Sequence, residues 1–478
     1  MRAWRRHSPL TAAAVLCALL AAPPPAAADA AVPSLAPQSL APQSPASESP
    51  APDAFIAWAG SAARKLRTVE RDSNDSDLAP FRDLVGRASV VALGEPGHGA
   101  HQPLALRNRV FAYLVEHCGF TAIALETSFS ESRAVHDFVA GGPGNAADVA
   151  RRSLTWGFGE YAENAELIQW MRDYNRRAAG RRKINFYGID LSGADNDGAF
   201  PNARIALQQV VQYLRTAAPD ASKGLLAELA PLLDRVSAAG YAHLAVSRDP
   251  ALDGALESLH GFLRDHAAQL RRGGKESEYQ WALRGVIVAG QLRDLLRLDD
   301  EAPKSGGTLS AGEYRQVDVR DAAMADNVLW VRAQEGKQGR ILVFAHDAHV
   351  MNASTRGGIW SVFSEAPRMM GQHLRAALGG NLIIIGTLGA HNGAGLPAGP
   401  PIGGSVDAAL DTLRLPLFVV DLRAAAREPD ALRWLDTPHP IRANFNTELD
   451  VDLREAFDAL VFIDRLTAAR KIAGIPAR

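Results

Sequence analysis

The sequence predicts an α/β protein with a mostly parallel sheet, helices on both faces, and a helical insert that forms a cap or subdomain. Two observations carry this. From Asp53 onward, apolar runs of strand length alternate with amphipathic stretches of helical length, the pattern of strands joined by crossover helices. Two of the apolar runs also end in Glu or His, and a third leads directly into a Glu and a His. An open α/β sheet keeps its ligand crevice there, outside the carboxyl ends of the strands.

The first run, residues 88–93 (ASVVAL), leads into residues 94–101 (GEPGHGAH), and a helix is expected over 101–115, where Leu104, Val110, Leu114 and Val115 recur at helical spacing. The second run, 120–126 (FTAIALE), is followed by a helical pattern over 130–139. An amphipathic stretch at Ala162–Arg177 precedes the third run, 183–190 (KINFYGID). Residues 201–299 contain no strand-like run and read as the helical insert, with apolar positions at Leu225, Leu229, Leu232, Leu233 and Val236 and again at Leu292, Leu295, Leu296 and Leu298. A cap of this kind is expected to shape a substrate cleft. Alternation returns with 340–346 (RILVFAH), which runs on into Asp347, Ala348 and His349, then 381–386 (NLIIIG) and 417–422 (LFVVDL). Strand ends distant in sequence thus converge, bringing Glu95, His98, Glu126, His346 and His349 towards one place.

The N-terminus reads as an address. Arg2, Arg5 and Arg6 precede an apolar stretch over 10–22, and residues 26–28 or 28–30 offer an A-x-A cleavage site, so residues 1–30 are expected to be a signal peptide. The apolar stretch is short for a span, which needs about 20 apolar residues. A periplasmic or secreted protein without stable membrane insertion after cleavage is expected. Residues 31–52 repeat SLAPQ in an Ala/Pro/Ser-rich linker too poor in apolar bulk to fold, leaving 53–478 as the folded domain. Cys118 is the one cysteine beyond the leader, so no intramolecular disulfide forms in the mature chain. A formal net charge of −2 supplies no basic face for phosphate backbones, which argues against a nucleic-acid partner.

Familiar chemistries are missing. The chain has no Gly-x-Ser-x-Gly elbow, no phosphate-binding Gly-x-x-x-x-Gly-Lys-Ser/Thr loop, no Cys-x-x-Cys and no His-Glu-x-x-His. What remains is a Glu/His constellation without a conventional nucleophile, which favours attack by water activated by a general base or by a metal. Each residue also has a plainer reading. His98 can be a structural histidine beside a glycine-rich turn; Glu126 can be a salt-bridge partner, for instance of Arg107; His346 and His349 can cap a helix. His101, His117 and His136 are expected on solvated helix surfaces, and Arg109 is expected as a surface charge. Asp190 either faces the cleft or caps a helix, and 156–161 either lines a pocket or packs as a loop.

The motifs in order resemble the erythromycin esterase family across most of residues 55–465. Gly94-Glu95-Pro96-Gly97-His98-Gly99 is similar to its G-E-x-x-H-G block, Leu106-Arg107-Asn108-Arg109 to L-R-x-R, Ala124-Leu125-Glu126 to A-L-E, and Ala345-His346-Asp347-Ala348-His349-Val350 to A-H-x-A-H-V. The segments at 170–175, 186–190 and 370–374 agree as well. Pro96-Gly97 and His101-Gln102-Pro103 depart from the commoner residues beside the base, and this bears on the substrate. The resemblance implies a hydrolase that opens an ester or macrolactone, the chemistry of macrolide resistance, with no cofactor and no required metal. It implies His98 as general base, with Glu95, Arg107, Glu126, His346 and His349 completing the site. Glu95 or Glu126 would orient and charge-stabilise the imidazole; Arg107 and one of the His346/His349 pair would donate to the oxyanion or leaving group. Two other readings stay open: the Glu/His set has ligand types suited to a divalent metal, as in metal-dependent peptidases that share the fold, and a cleft can bind a small molecule without turning it over.

Overall fold

The computed structural model describes residues 53–71, 74–178, 180–191, 203–237, 249–273, 276–299, 311–357, 366–397, 399–445 and 447–472. The expected leader (1–30) and linker (31–52) lie outside them. An eight-stranded sheet organises the chain, with strands β1 (Arg64–Lys65), β2 (Val90–Glu95), β3 (Ala122–Ser128), β4 (Asn185–Asp190), β5 (Ile341–His346), β6 (Leu382–Asn392), β7 (Leu417–Asp421) and β10 (Ala459–Leu466) in the order β1-β7-β10-β6-β2-β5-β3-β4. The six strands from β10 to β4 run parallel, and β7 and β1 close one edge antiparallel. A separate hairpin pairs β8 (His439–Ala443) with β9 (Thr447–Val451).

The central strands are apolar throughout because both faces of the sheet are covered. Alternate residues serve opposite layers. Val90, Ala92, Ile341, Val343, Leu382 and Ile384 join one core, while Val91, Leu93, Leu342, Phe344, Ile383 and Ile385 join the other. The first crossover helix, His101–Cys118, ends at Gly119 in the left-handed conformation.

The stretch read as a helical insert holds the helices Arg204–Ala217, Pro219–Ser237, Pro250–Asp265, Ala267–Gly273 and Glu276–Asp299. They share a core of their own, built from residues such as Leu207, Leu214, Leu256, Leu259 and Leu263. The insert reaches the sheet beside edge strand β4, where Trp281 packs against Phe129, Tyr187 and Trp330. Arg284 ties it to the long helix Ala311–Gln334 through Asn327 and Asp326.

Three elements differ from the sequence reading. Strand β10, between β7 and β6, was not anticipated, nor were edge strand β1 and the β8–β9 hairpin. Among the surface assignments, His117 faces solvent and pairs with Asp75, but Arg109 is buried and holds Asp77, Thr68 O and Asn74 O. His101 bridges Glu163 and Glu70. His136 is packed against Trp281 with Nδ1 on the Phe186 carbonyl, and burial lowers its pKa to about 4.

Candidate active site

Register brings the chemistry together. Glu95 and His346 are paired neighbours at the ends of β2 and β5, and Glu126 follows the Leu125–Phe344 pair of β3 and β5. Asp190 ends β4 opposite Ser128. Four adjacent parallel strands thus deliver Glu95, His346, Glu126 and Asp190 at their carboxyl ends, where the crevice of an α/β sheet lies. All are buried, as are His98 and His349.

His98 occupies the turn after β2. Its Nδ1 donates to Glu95 Oε1 at 2.8 Å, and Nε2 lies 3.8 Å from Glu126 Oε1. Its ring meets Phe158 and His346 edge-on, with centroids 4.9 and 5.4 Å away. Burial works against charging the ring, but the Glu126 charge and the Glu95 hydrogen bond outweigh it, so the His98 pKa is raised.

Glu126 receives three donors. Arg320 Nη2 reaches Oε1 at 2.9 Å, His349 Nε2 lies 3.3 Å from the same oxygen, and the His346 amide donates to Oε2 at 2.8 Å. Against the cost of burial, the His349, His98 and Arg320 charges hold the carboxyl well below the usual carboxylate range. His349 is held between carboxylates, with Nδ1 2.8 Å from Asp321 Oδ1. Burial opposes the charge, yet Asp321 and Glu126 raise its pKa to about 10. Its Nε2 faces Glu126 Oε1 and lies 3.1 Å from Arg320 Nη1.

His346 is the opposite case. Burial and the nearby His98 charge lower its pKa to about 3. Its Nδ1 accepts from the Ala348 amide at 3.1 Å, capping the short helix Asp347–Val350. The proton of the neutral ring therefore sits on Nε2, which is buried without a hydrogen-bond partner. The capping reading of His346 is correct, and its ring also lies against His98 in the cluster; His349 caps nothing.

Arg107 is buried beside the cluster but does not bond to it. Its Nε and Nη2 donate to Asn108 and Asn164, its guanidinium lies over Phe344, and burial lowers its pKa to about 10. The salt bridge considered for Glu126 is made by Arg320 instead. Arg107, Glu95, Glu126, Phe158, Tyr161 and Asn164 border a cavity of about 10 Å³, room for about one water. This cavity is walled, among the described residues, by the sheet, the helix His101–Cys118 and the Phe158–Asn164 stretch. No described residue of the insert lines it; of the two forms expected for the insert, cap or subdomain, the described helices form a subdomain at the β4 edge.

Arg320 and Asp321 were missed by the sequence reading, whereas Trp156 belongs to the 156–161 segment read as pocket lining or packed loop. Arg320 clamps Asp190 through Nε and Nη2, at 2.9 and 2.6 Å, while reaching Glu126. Trp156 donates to Asp190 from Nε1 and lies under the Arg320 guanidinium. A signal existed for Asp321: it falls on the same helical stripe as Val317, Met324 and Val328, all buried, and a carboxylate there needs a partner. Asp190 does face the cluster.

The arrangement offers an oriented imidazole with a free Nε2, a charge-saturated carboxylate facing it, and an unpartnered neutral N–H donor next to it. These are the parts of general-base attack by water with a donor for the developing oxyanion.

Comparison with known proteins follows the same direction. The chain is 24% identical to erythromycin esterase type II of Escherichia coli over 336 residues, 70% of this chain and 76% of that one. It is 24% identical to erythromycin esterase type I of Escherichia coli over 412 residues, covering 83% and 95%. In fold it is similar to a crystal structure from Bacillus cereus, with a TM-score of 0.70 at 21% identity, covering 87% of this chain and 98% of that one. The family model for erythromycin esterase matches residues 115–466, which hold Glu126, Arg320, His346 and His349, and the chain belongs to the erythromycin esterase family.

Proposed function

We propose that the protein is an exported carboxylic ester hydrolase that opens an ester or macrolactone with water activated by His98. The observation that carries this reading is the placement of the His98 ring between Glu95 and Glu126. Glu95 fixes the Nδ1–H tautomer and leaves Nε2 to take a proton from water, the role a buried carboxylate plays in a triad. The imidazolium so formed faces Glu126. Water adds to the ester carbonyl, the carbonyl oxygen takes up negative charge, and His346 Nε2–H donates to it. Collapse of the tetrahedral intermediate expels the alkoxide, which takes the proton from His98 and leaves acid and alcohol. Export rests on the leader-like residues 1–30.

The donor set gives less support to a metal. Arg320 already stands as a fixed cation between Glu126 and Asp190, beside His349. The groups of metal-ligating side chains found together among the described residues are Asp75, Glu116 and His117, and His391, Asp411 and Asp464, and neither includes the five Glu/His residues of the site.

The test is a screen of the protein against macrolides and aryl esters, with mass spectrometry for a product heavier by one water. His98→Ala is expected to lower kcat by at least about 10² while remaining folded. A folded variant with near-normal turnover removes His98 from the mechanism.

A further inference from the structure

The turn of the β8–β9 hairpin holds two consecutive non-glycine residues in the left-handed region, Asn444 at φ 48° and Phe445 at φ 69°. Such conformations persist only where surrounding structure enforces them, and they concentrate at functional sites. Here the surroundings are the catalytic turn itself. The Asn444 amide donates to Pro96 O at 2.8 Å, and the Phe445 ring is packed so closely on Gly97 that a Cβ there would lie 2.9 Å from it. Phe445 O is in turn held by Asn392 at the end of β6. The hairpin tip is thus fixed against the residues between Glu95 and His98.

The tip carries one side chain to the site. Asn444 is half-buried, and its carboxamide lies beside His346 without forming a hydrogen bond of normal geometry with Nε2. The buried Nε2–H thus has a carboxamide beside it but no partner of normal hydrogen-bond geometry. A buried donor in that condition carries a desolvation cost that a ligand oxygen would relieve.

We propose that Asn444 is a further substrate-contacting residue, its carboxamide joining His346 Nε2–H in binding the carbonyl oxygen of the ester. The inference rests on the hydrolase reading. Asn444 supplies a second, rotatable donor through its NH2 group, and the strained hairpin tip sets its position against the Pro96–Gly97 turn. Substrate entry requires the carboxamide to turn from His346 to the shared oxygen.

The test uses ε-caprolactam, a cyclic amide that presents a lactone-like carbonyl and resists hydrolysis, with turnover of 4-nitrophenyl acetate measured in parallel. Binding is followed by nitrogen NMR of histidine-labelled protein, the His346 signal being assigned by its loss in His346→Gln. In the wild type the lactam is expected to shift the His346 Nε2–H signal, and in Asn444→Gly to bind about fivefold more weakly or less. Glycine adopts a positive φ without penalty, so a purely structural Asn444 predicts a glycine variant of unchanged or higher Tm and unchanged lactam affinity; that affinity result overturns the proposal. Asn444→Asp keeps a left-handed-tolerant residue but replaces the NH2 donor with an acceptor, and is expected to weaken binding as well. A His346 signal that ignores the lactam in the wild type also overturns it. Loss of ester turnover in the wild type with the lactam response intact removes the hydrolase reading and leaves the Asn444 contact standing.

Discussion

As the proposed base, His98 must be neutral to accept a proton, yet it is held between two groups that favour its charged form. Burial pulls its pKa down, the Glu126 charge and Glu95 hydrogen bond push it up, and the net is upward from 6.5. In the proposed mechanism, activity requires the deprotonated ring. Hence kcat/KM is expected to rise with pH through an apparent value above 6.5, one that belongs to the coupled cluster and not to His98 alone. Glu126→Gln removes a charge facing Nε2, so the midpoint is expected to move to lower pH, and kcat to fall because the imidazolium of the transition state loses its partner. A pH-rate profile with unchanged midpoint and rate would make Glu126 purely structural and pass its role to Glu95. Metal dependence is decided among the same residues. With Arg320 already bound to Glu126, dialysis against a chelator is expected to leave turnover unchanged; activity lost and restored by Zn²⁺, Mn²⁺ or Co²⁺ would reassign the Glu/His set as ligands. His98, Glu126, His346 and His349 were legible in the sequence because each stands at or just beyond the end of an apolar strand, where a polar residue has to be explained. Arg320 was not, because its partners come from β3, β4 and the turn after β5, and no spacing within one helix encodes them.

The short element Asp347–Val350 determines where two of the five Glu/His residues of the site point, since His346 caps it and His349 lies inside it. Its own anchor is Asp347, whose Oδ1 accepts the Thr387 amide of β6 at 3.1 Å. Gly94 makes room for that carboxyl: a Cβ at this position would overlap the Asp347 side chain and crowd Val350. Gly94→Ala is therefore expected to cost about 1–3 kcal/mol through overpacking, and to lower kcat as well by shifting the His346–His349 turn. Gly254, exposed on the helix Pro250–Asp265 with nothing within 4 Å of a Cβ, is the contrasting case; Gly254→Ala is expected to stabilise by about 0.5–1 kcal/mol with no effect on kcat. Thermal melts and initial rates on the pair check both, and equal effects at the two positions would contradict the packing argument. The repeated apolar runs made most of the sheet legible. β10 escaped because Asp464 and Arg465 interrupt its second half, although its apolar residues Leu460, Val461, Phe462 and Ile463 are as buried as those of β2. The hairpin escaped because His439, Pro440 and Arg442 break the apolar pattern of β8, and its place is set by Asp407, which accepts the Arg442 amide.

At the scale of the molecule, two bodies of different consequence share one chain. The sheet and its two covering layers converge on the Glu/His cluster, while the helices between Arg204 and Asp299 bury a separate core and meet the sheet at its β4 edge. If the insert formed a cap, a defect in its core would reach the substrate. The cavity beside Glu95 and Glu126 is bordered instead by Leu104, Leu125, Phe158 and Phe344 from the main body. Leu259 tests which arrangement governs function, since it is almost fully buried in the insert core and belongs to none of the site's contacts. Leu259→Ala leaves a cavity and is expected to cost about 2–5 kcal/mol. Measured at a temperature well below the variant's Tm, kcat and KM are expected to match the wild type, because mutations at distant sites with no shared partners act independently. A raised KM for a large macrolactone but not for a small aryl ester would show that the insert reaches over the bound substrate after all, and would return to it the cleft-shaping role that its position beside β4 argues against.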